Sequence, residues 1–216
     1  MIRSRMSASI PEPSLLSAPQ QPPNLKAKER ILAAAYDLFS RHGIRAVGID
    51  AIIEKSGVAR MTLYRHFTCK EQLVLAFLEQ RARFWVGGWL QEEVTRRTEK
   101  PTERLLAIFD VFGEWFRGEV FEGCTFINVM LETANRDDKI RRASVDYLGK
   151  IRDFLAQLAA AAGIRDCDAF ARKWHLLMKG AIVAAAEGDR DAGARAREIG
   201  ALVLADALSA DATARA

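Results

Sequence analysis

Apolar residues recur at intervals of three and four from residue 25 onward, which is the period of an amphipathic α-helix. In the first such stretch, Ile31, Ala35 and Phe39 fall on one face. Runs of alternating β-branched residues, which would indicate strands, are missing from the sequence. The pattern therefore predicts an all-α fold of about nine helices, at approximately 25–42, 49–55, 60–66, 68–97, 101–118, 125–134, 137–161, 166–187 and 191–208.

The first 24 residues lack this pattern. Five of the six prolines lie within residues 1–23, among serines and glutamines. Such a composition buries too little apolar surface to offset the entropy lost on ordering. We expect residues 1–24 to form a disordered Pro/Ser-rich tail.

The segment 43–67, GIRAVGIDAIIEKSGVARMTLYRHF, predicts two short helices joined by a tight Ser-Gly turn. Ile52, Leu63 and Phe67 supply a small apolar interior, whereas the second helix leaves many hydrogen-bonding side chains exposed. This arrangement is typical of the helix-turn-helix, whose second helix enters the major groove of DNA. We assign the helix-turn-helix to residues 48–67.

The distribution of charge favours an anionic partner at the same end of the chain. Residues 1–70 contain 11 basic and 5 acidic side chains, whereas residues 71–216 contain 21 basic and 23 acidic ones. The net charge of +4 is therefore concentrated in the first third of the sequence. Such an asymmetry is the electrostatic pattern of a protein that binds nucleic acid through one region.

Other classes of protein are disfavoured. The three cysteines lie 55 and 43 residues apart, which matches neither a disulfide framework nor a zinc site. No apolar run is long enough for a membrane-spanning helix or a signal peptide. We expect a cytoplasmic protein with no metal, no cofactor and no membrane partner. The sequence contains no HExxH, GxSxG, GxGxxG or Walker motif. An enzyme is therefore the less favoured alternative.

The run TLYRHF at Thr62–Phe67, followed by K-E-x-L at Lys70–Leu73, resembles the tetracycline-repressor (TetR) family of bacterial transcription regulators. The resemblance implies a helix-turn-helix DNA-binding domain of three helices over residues 25–85. It implies a helical ligand-binding and dimerisation domain over residues 86–216. The implied function is a bacterial, sequence-specific regulator, a repressor released from a palindromic operator by a small, hydrophobic ligand.

The resemblance places nine residues at the DNA: Arg45, Gly48, Arg60, Met61, Thr62, Tyr64, Arg65, His66 and Lys70. The hydroxyl and imidazole groups of the second helix would bond phosphates, while its arginines and Met61 would contact base edges. Lys70 would add charge at the start of the next helix, and Arg45 would reach a flanking phosphate or the minor groove. Gly48 and Ala59 stand where the family usually has a hydroxyl cap, so we expect fewer hydroxyl–phosphate bonds.

The second domain is rich in aromatic residues, and two interpretations remain open. Spacings of three and four favour an ordinary core, whereas the resemblance implies an apolar ligand cavity. The candidate cavity residues are Trp85, Trp89, Phe109, Phe112, Phe116, Cys124, Phe126, Asn128, Met130 and His175. By the same resemblance, the last two helices would form a homodimer interface.

The cysteines suggest an alternative mode of regulation. Gly123, Cys124, Phe126 and Asn128 form an element that resembles one found in some members of the family. A thiol there, or Cys69 beside a lysine, could sense oxidants or electrophiles if its pKa were lowered. An inert buried cysteine is the competing interpretation. A nonspecific architectural DNA-binding protein is a third alternative, which the near-neutral, aromatic second domain disfavours.

Overall fold

The computed structural model describes residues 26–119 and 121–213, so the expected tail at 1–24 lies outside the described residues. Within these ranges the chain is all-α, as predicted, and contains no strand. Ten α-helices and one π-helical segment follow one another: α1 Ala27–Ala46, α2 Ile49–Ser56, α3 Arg60–His66, α4 Lys70–Phe84, the π-helical segment Trp85–Trp89, α5 Leu90–Arg97, α6 Pro101–Arg117, α7 Thr125–Glu132, α8 Lys139–Ala161, α9 Cys167–Ala186 and α10 Ala192–Thr213.

The chain divides into two compact units, an N-terminal unit up to Phe77 and a C-terminal unit from Leu78. In the N-terminal unit, α1 packs against α2 and α3. Ile31, Ile52 and Leu63 are fully buried at the centre of this unit. The ring of Phe77 meets those of the buried Tyr36 and Phe39 edge-on, with centroid distances of 5.4 and 5.5 Å.

A buried carboxylate joins the first two helices. Asp37 is buried on α1, and it forms ion pairs with Arg41 one turn later and with Lys55 on α2. The distance from Arg41 Nε to Asp37 Oδ1 is 3.0 Å. A buried carboxylate requires such partners, because a carboxylate removed from water without them is strongly destabilising.

The long helix expected over 68–97 is interrupted, which is why ten helices form instead of nine. Helix α4 ends at Phe84, and Trp85–Trp89 form a π-helical turn before α5 begins. This segment has the sequence WVGGW, and its adjacent glycines have low α-helix propensity. The ring of Trp85 packs on those of Trp89 and Trp115, with centroid distances of 4.6 and 4.4 Å. Ring packing between helices therefore outweighs continuous α-helical hydrogen bonding at this point.

In the C-terminal unit, α6 packs against α5, α8 and α10, and α9 lies between α8 and α10. The contact between α6 and α10 is unusually close. A Cβ atom added to Gly193 on α10 would lie 2.7 Å from the Gly113 Cα on α6. One added to Gly200 would lie 2.8 Å from the Phe109 ring. Only glycine permits this approach of the two helices.

Candidate nucleic-acid interface and ligand cavity

Helix α3 is held by its apolar side and leaves its polar side open. Leu63 is fully buried, and Val58 and Phe67 at either end of the helix are also buried. Gly57, at φ 62°, forms the turn that precedes the helix, in a backbone region that favours glycine. The anchored face therefore fixes the orientation of the exposed side chains.

Most of the residues expected at DNA are exposed. Six of the nine lie on α3, while Arg45 lies in the last turn of α1, Gly48 precedes α2 and Lys70 begins α4. Thr62 and Lys70 are half-buried and the other seven are exposed. Met61 is 78% exposed, an unusual value for a large apolar side chain. Positions 61, 64 and 65 share one face of α3, because side chains three and four positions apart are neighbours.

Arg60 does not extend freely from α3. Its Nη2 atom lies 2.5 Å from Oδ1 of Asp50 on α2, and both side chains are more than half exposed. An ion pair this exposed contributes at most about 1 kcal/mol. A phosphate or a guanine edge can therefore compete with Asp50 for the guanidinium.

Helices α2 and α3 have no side-chain cap at their N-termini, as the sequence indicates. Gly48 and Ala59 are the N-cap residues of α2 and α3, both with extended backbone and neither with a side-chain hydrogen bond. The first-turn amides of both helices are therefore not satisfied by their N-cap side chains. Steric hindrance does not explain why Gly48 has no capping side chain, since a Cβ added there would meet no atom within 4 Å.

The C-terminal unit contains a cavity that opens to solvent, and the atom-free space in and in front of it is about 620 Å³, open solvent included. Its walls come from the end of α4, the π-helical segment and helices α5 to α9, together with the loop before α7. Most of the lining is apolar and includes Trp85, Phe112, Trp115, Phe126, Phe154 and Met178. The polar residues of the wall are Arg81, Cys124, Thr125, His175 and Lys179.

Half of the ten residues expected at a ligand site line this cavity. They are Trp85, Phe112, Cys124, Phe126 and His175. The other five are not among its lining residues. Trp89, Phe109 and Phe116 are buried in contact with other aromatic rings, Met130 is half-buried, and the Asn128 amide is exposed and donates to the Glu122 carbonyl.

Arg81 is a buried arginine of the wall. Its guanidinium carbon lies 5.1 Å from the centre of the Trp85 ring, in cation–π geometry. Burial lowers the pKa of Arg81 to about 10, while the charges of Cys124 and Glu122 act in the opposite direction. The group therefore stays protonated at neutral pH.

His175 and Lys179 lie one turn apart on α9 and both line the cavity. Burial, followed by the charges of Lys179 and Arg152, lowers the pKa of His175 to about 3, so its ring is neutral at neutral pH. Burial and the Arg152 charge also lower the pKa of Lys179, while Cys124 acts in the opposite direction. No acidic residue contributes to either shift.

Sequence reasoning missed the basic residues of the wall, Arg81 and Lys179, and the contribution of α8 through Leu148, Ile151 and Phe154. One signal for Lys179 was present. It interrupts the apolar face that Trp174, Met178 and Ile182 form on α9, where a lysine has no role in an ordinary core. The α8 residues carry no such signal, because their spacing equally fits a filled core.

The two cysteines considered as sensors differ in environment. Burial raises the pKa of the Cys124 thiol, despite opposing contributions from the backbone amides of α7 and from Arg81 and Lys179. The thiol is therefore not activated. Cys69 is exposed.

Within residues 26–119 and 121–213, no group of acidic, histidine and cysteine residues could hold a metal ion. No helix in these ranges is long and apolar enough to cross a membrane.

Two family descriptions match the sequence. That of the bacterial regulatory proteins of the tetR family matches residues 31–77, which include α2 and α3. That of the tetracyclin repressor-like C-terminal domain matches residues 101–199, which include most of the cavity wall.

Individual proteins are similar over long parts of the chain. An HTH-type transcriptional regulator from Lactococcus lactis is 23% identical over 139 residues, 63% of this chain and 70% of that protein. The HTH-type transcriptional activator FasR of Mycolicibacterium smegmatis is 33% identical over 90 residues, 42% of this chain and 40% of that protein. The crystal structure of a TetR-family transcriptional regulator from Streptomyces coelicolor is similar with a TM-score of 0.75 and 29% identity, over 84% of this chain and 95% of that chain.

Proposed function

The chain belongs to the TetR family of bacterial regulators, and on that premise we propose that it is a dimeric repressor, released from a palindromic operator by a small, mostly apolar ligand. As a member of this family, the protein is a helix-turn-helix transcriptional regulator and not an enzyme. The family membership also favours a bacterial cytoplasmic location. The observation that carries the proposal is α3, anchored by Leu63 and open on its polar side.

The proposed DNA contacts follow from the chemistry of α3 and its surroundings. Arg60 and Arg65 are exposed, and each can bond the O6 and N7 atoms of a guanine. Met61 suits contact with a thymine methyl group. Thr62, Tyr64 and His66 carry donors for phosphate oxygens, which position the protein on the duplex.

The remaining contacts surround α3. Arg45 and Lys70 add positive charge at the end of α1 and the start of α4. Gly48 contributes only its backbone at the start of α2, because it has no side chain. Phosphate contacts of this kind make the affinity depend on salt concentration.

Two exposed apolar stripes support a dimer formed through the C-terminal helices. Leu176 and Val183 are exposed two turns apart on α9, and Ile199 and Leu202 are exposed three residues apart on α10. Four large apolar side chains on neighbouring helices are costly in water and are typical of a covered interface. A twofold dimer would present two α3 helices to half-sites about 34–36 Å apart.

Ligand release is proposed through α4. This helix begins at Lys70, a proposed DNA contact, and carries Arg81 in the cavity wall near its other end. A ligand shifts the equilibrium between two conformers only by its difference in affinity for them. The raised pKa of Cys124 disfavours the alternative in which a cysteine is the sensor.

The proposal is tested by selecting bound sequences from a pool of random DNA duplexes. We expect enrichment of an inverted repeat whose half-sites are about one turn, or roughly 10 base pairs, apart. Arg65→Ala is expected to cost about 1–3 kcal/mol and relax the preference at one position of each half-site. Arg142→Ala, which removes an exposed arginine of the C-terminal unit, serves as the matched control. Selection that enriches no sequence would contradict the proposal.

A further inference from the structure

The cavity of the C-terminal unit has an apolar body and a basic end. Its aromatic and aliphatic wall is interrupted by His175 and Lys179, which lie one turn apart on α9. Arg152 on α8 is close enough for its charge to act on both. The described residues that line the cavity include no aspartate or glutamate.

The basic end lacks a counter-charge within the described residues. The Lys179 ammonium has no hydrogen bond or ion pair there, and the Arg152 guanidinium bonds only the Leu148 carbonyl, at 3.5 Å. His175 is 3% exposed, and its Nδ1 atom has no hydrogen-bond partner in this part of the chain. Lys179 and Arg152 are half-buried and therefore partly hydrated, whereas the buried imidazole beside them lacks a partner. An anion at this end would pair with both cations and could accept a hydrogen bond from the imidazole.

Arg81 contributes less to this end. The nearby Glu122 carboxylate acts on its guanidinium and offsets part of its charge. The uncompensated charge therefore lies on the α8 and α9 side of the cavity, at Lys179 and Arg152.

We propose that the cavity binds an amphipathic carboxylate. The apolar part of this ligand lies against Trp85, Trp115 and Phe126, and its carboxylate lies at His175 and Lys179. A neutral imidazole can donate one hydrogen bond to a carboxylate oxygen, and the ammonium supplies a charge-assisted one. The apolar wall accounts for binding of the apolar part of the ligand. The basic end makes the affinity for an acid higher than that for its neutral analogue. This inference rests on the proposed ligand-responsive function.

The test measures binding to the full-length protein without DNA, by isothermal titration calorimetry at neutral pH. The probes are 3-phenylpropionate, 2-naphthoate and octanoate, each compared with its primary amide. Each pair has nearly the same shape and differs in charge. We expect at least one acid to bind about tenfold more tightly than its amide, as a charge-assisted bond requires.

Variants assign the preference to the basic end. Lys179→Met and, separately, Lys179→Gln are expected to bring the acid and amide affinities together, because each removes the ammonium. Lys173→Met, which removes an exposed ammonium from the same helix, is expected to leave the preference unchanged. Thermal melting of each variant establishes that it is folded.

Three results would overturn the inference. The first is amides that bind as tightly as the acids. The second is a preference that survives in the Lys179→Met, Arg152→Met double variant. The third is no binding of any acid at about 1 mM, the weak end of specific affinity. Operator binding is measured separately, so its presence without acid binding rejects only this inference. Acid binding without any effect on DNA rejects only ligand release.

Discussion

A buried histidine one turn from a half-buried lysine is the least ordinary feature at the scale of single side chains. A core formed for packing alone would replace His175 and Lys179 with apolar residues, because both lose hydration without gaining a carboxylate partner. The neutral imidazole of His175 has a direct consequence for stability. A folded-state pKa of about 3, against 6.5 for the free side chain, means that the unfolded chain binds a proton which the folded chain excludes.

The free energy of unfolding should therefore fall as pH is lowered. The contribution of His175 is complete above about pH 6.5 and is lost progressively as the pH falls toward 3. Between about pH 6.5 and 5.5 one such group reduces the free energy by about 1 kcal/mol. Urea unfolding at fixed protein concentration should show this slope in the wild type and not in His175→Gln. The same substitution at the exposed His42 is the control, and equal slopes in all three proteins would refute the assignment.

The effect of Asp50 on DNA affinity can also be measured. It holds Arg60 at 2.5 Å and places a negative charge near the proposed DNA surface. Asp50→Asn should release the guanidinium and tighten binding to nonspecific duplex about two- to tenfold at low salt, because one repulsive charge is removed. Glu54→Gln, an exposed acid on the same helix, is the comparison. Weaker binding by Asp50→Asn would mean that the ion pair orients Arg60 for DNA.

At the scale of helices, the periodicity of apolar residues located nearly all of the elements. Helices α6, α8 and α9 begin and end within a few residues of the expected positions. Asp138 and Asp166 cap α8 and α9 by accepting amide hydrogen bonds, a local signal that is readable in sequence. The π-helical turn was not predicted, because it depends on the packing of Trp85 against Trp115 on another helix.

Contacts between helices were also beyond sequence reasoning. The missing side chain of Gly200 makes room for Phe109 and Trp174 of the same chain, a contact that no pattern around position 200 predicts. The cavity wall shows the same limitation. The spacing of Phe109, Phe112 and Phe116 identifies an apolar face but does not tell which ring borders empty space, and only Phe112 does.

The close contact of α6 and α10 gives a prediction about stability. Gly193→Ala would place Cβ 2.7 Å from backbone atoms of Gly113 and 2.9 Å from the Phe109 carbonyl oxygen, which cannot move aside independently. We expect the free energy of unfolding to fall by about 1–3 kcal/mol. Gly149→Ala on α8 meets only the Arg152 guanidinium, at 3.6 Å, and should gain about 0.5–1 kcal/mol from helix propensity. Denaturant unfolding of the two variants compares them, and equal stabilities would exclude a tight crossing.

At the scale of the whole molecule, reading a palindromic operator requires two chains. A single chain leaves Leu176, Val183, Ile199 and Leu202 exposed, and it carries one α3 where a palindromic operator has two half-sites. Pairing through α9 and α10 would cover the apolar stripes and supply a second α3 for the other half-site. Dimerisation and DNA affinity are therefore expected to be lost together.

Leu202→Glu should convert the dimer to a monomer, because it places a charge in the proposed interface. Light scattering during size-exclusion chromatography should give the mass of two chains for the wild type and of one chain for the variant. Val145→Glu replaces an exposed apolar residue of α8 outside these stripes and should remain dimeric. A monomeric wild type, or a Leu202→Glu protein that remains dimeric, would place the interface elsewhere or remove it.

Sequence-specific DNA binding by this protein can be measured by fluorescence anisotropy of a labelled operator. The operator is the inverted repeat obtained by selection, and a scrambled duplex is titrated in parallel at several salt concentrations. We expect saturation by two chains per repeat, with an affinity at least about a hundredfold above that for the scrambled duplex. Arg65→Ala should reduce that ratio, whereas Tyr64→Phe should weaken binding to both duplexes. Equal affinity for both duplexes with the same salt dependence would contradict sequence-specific binding, since α3 would then bind DNA only through its positive charge.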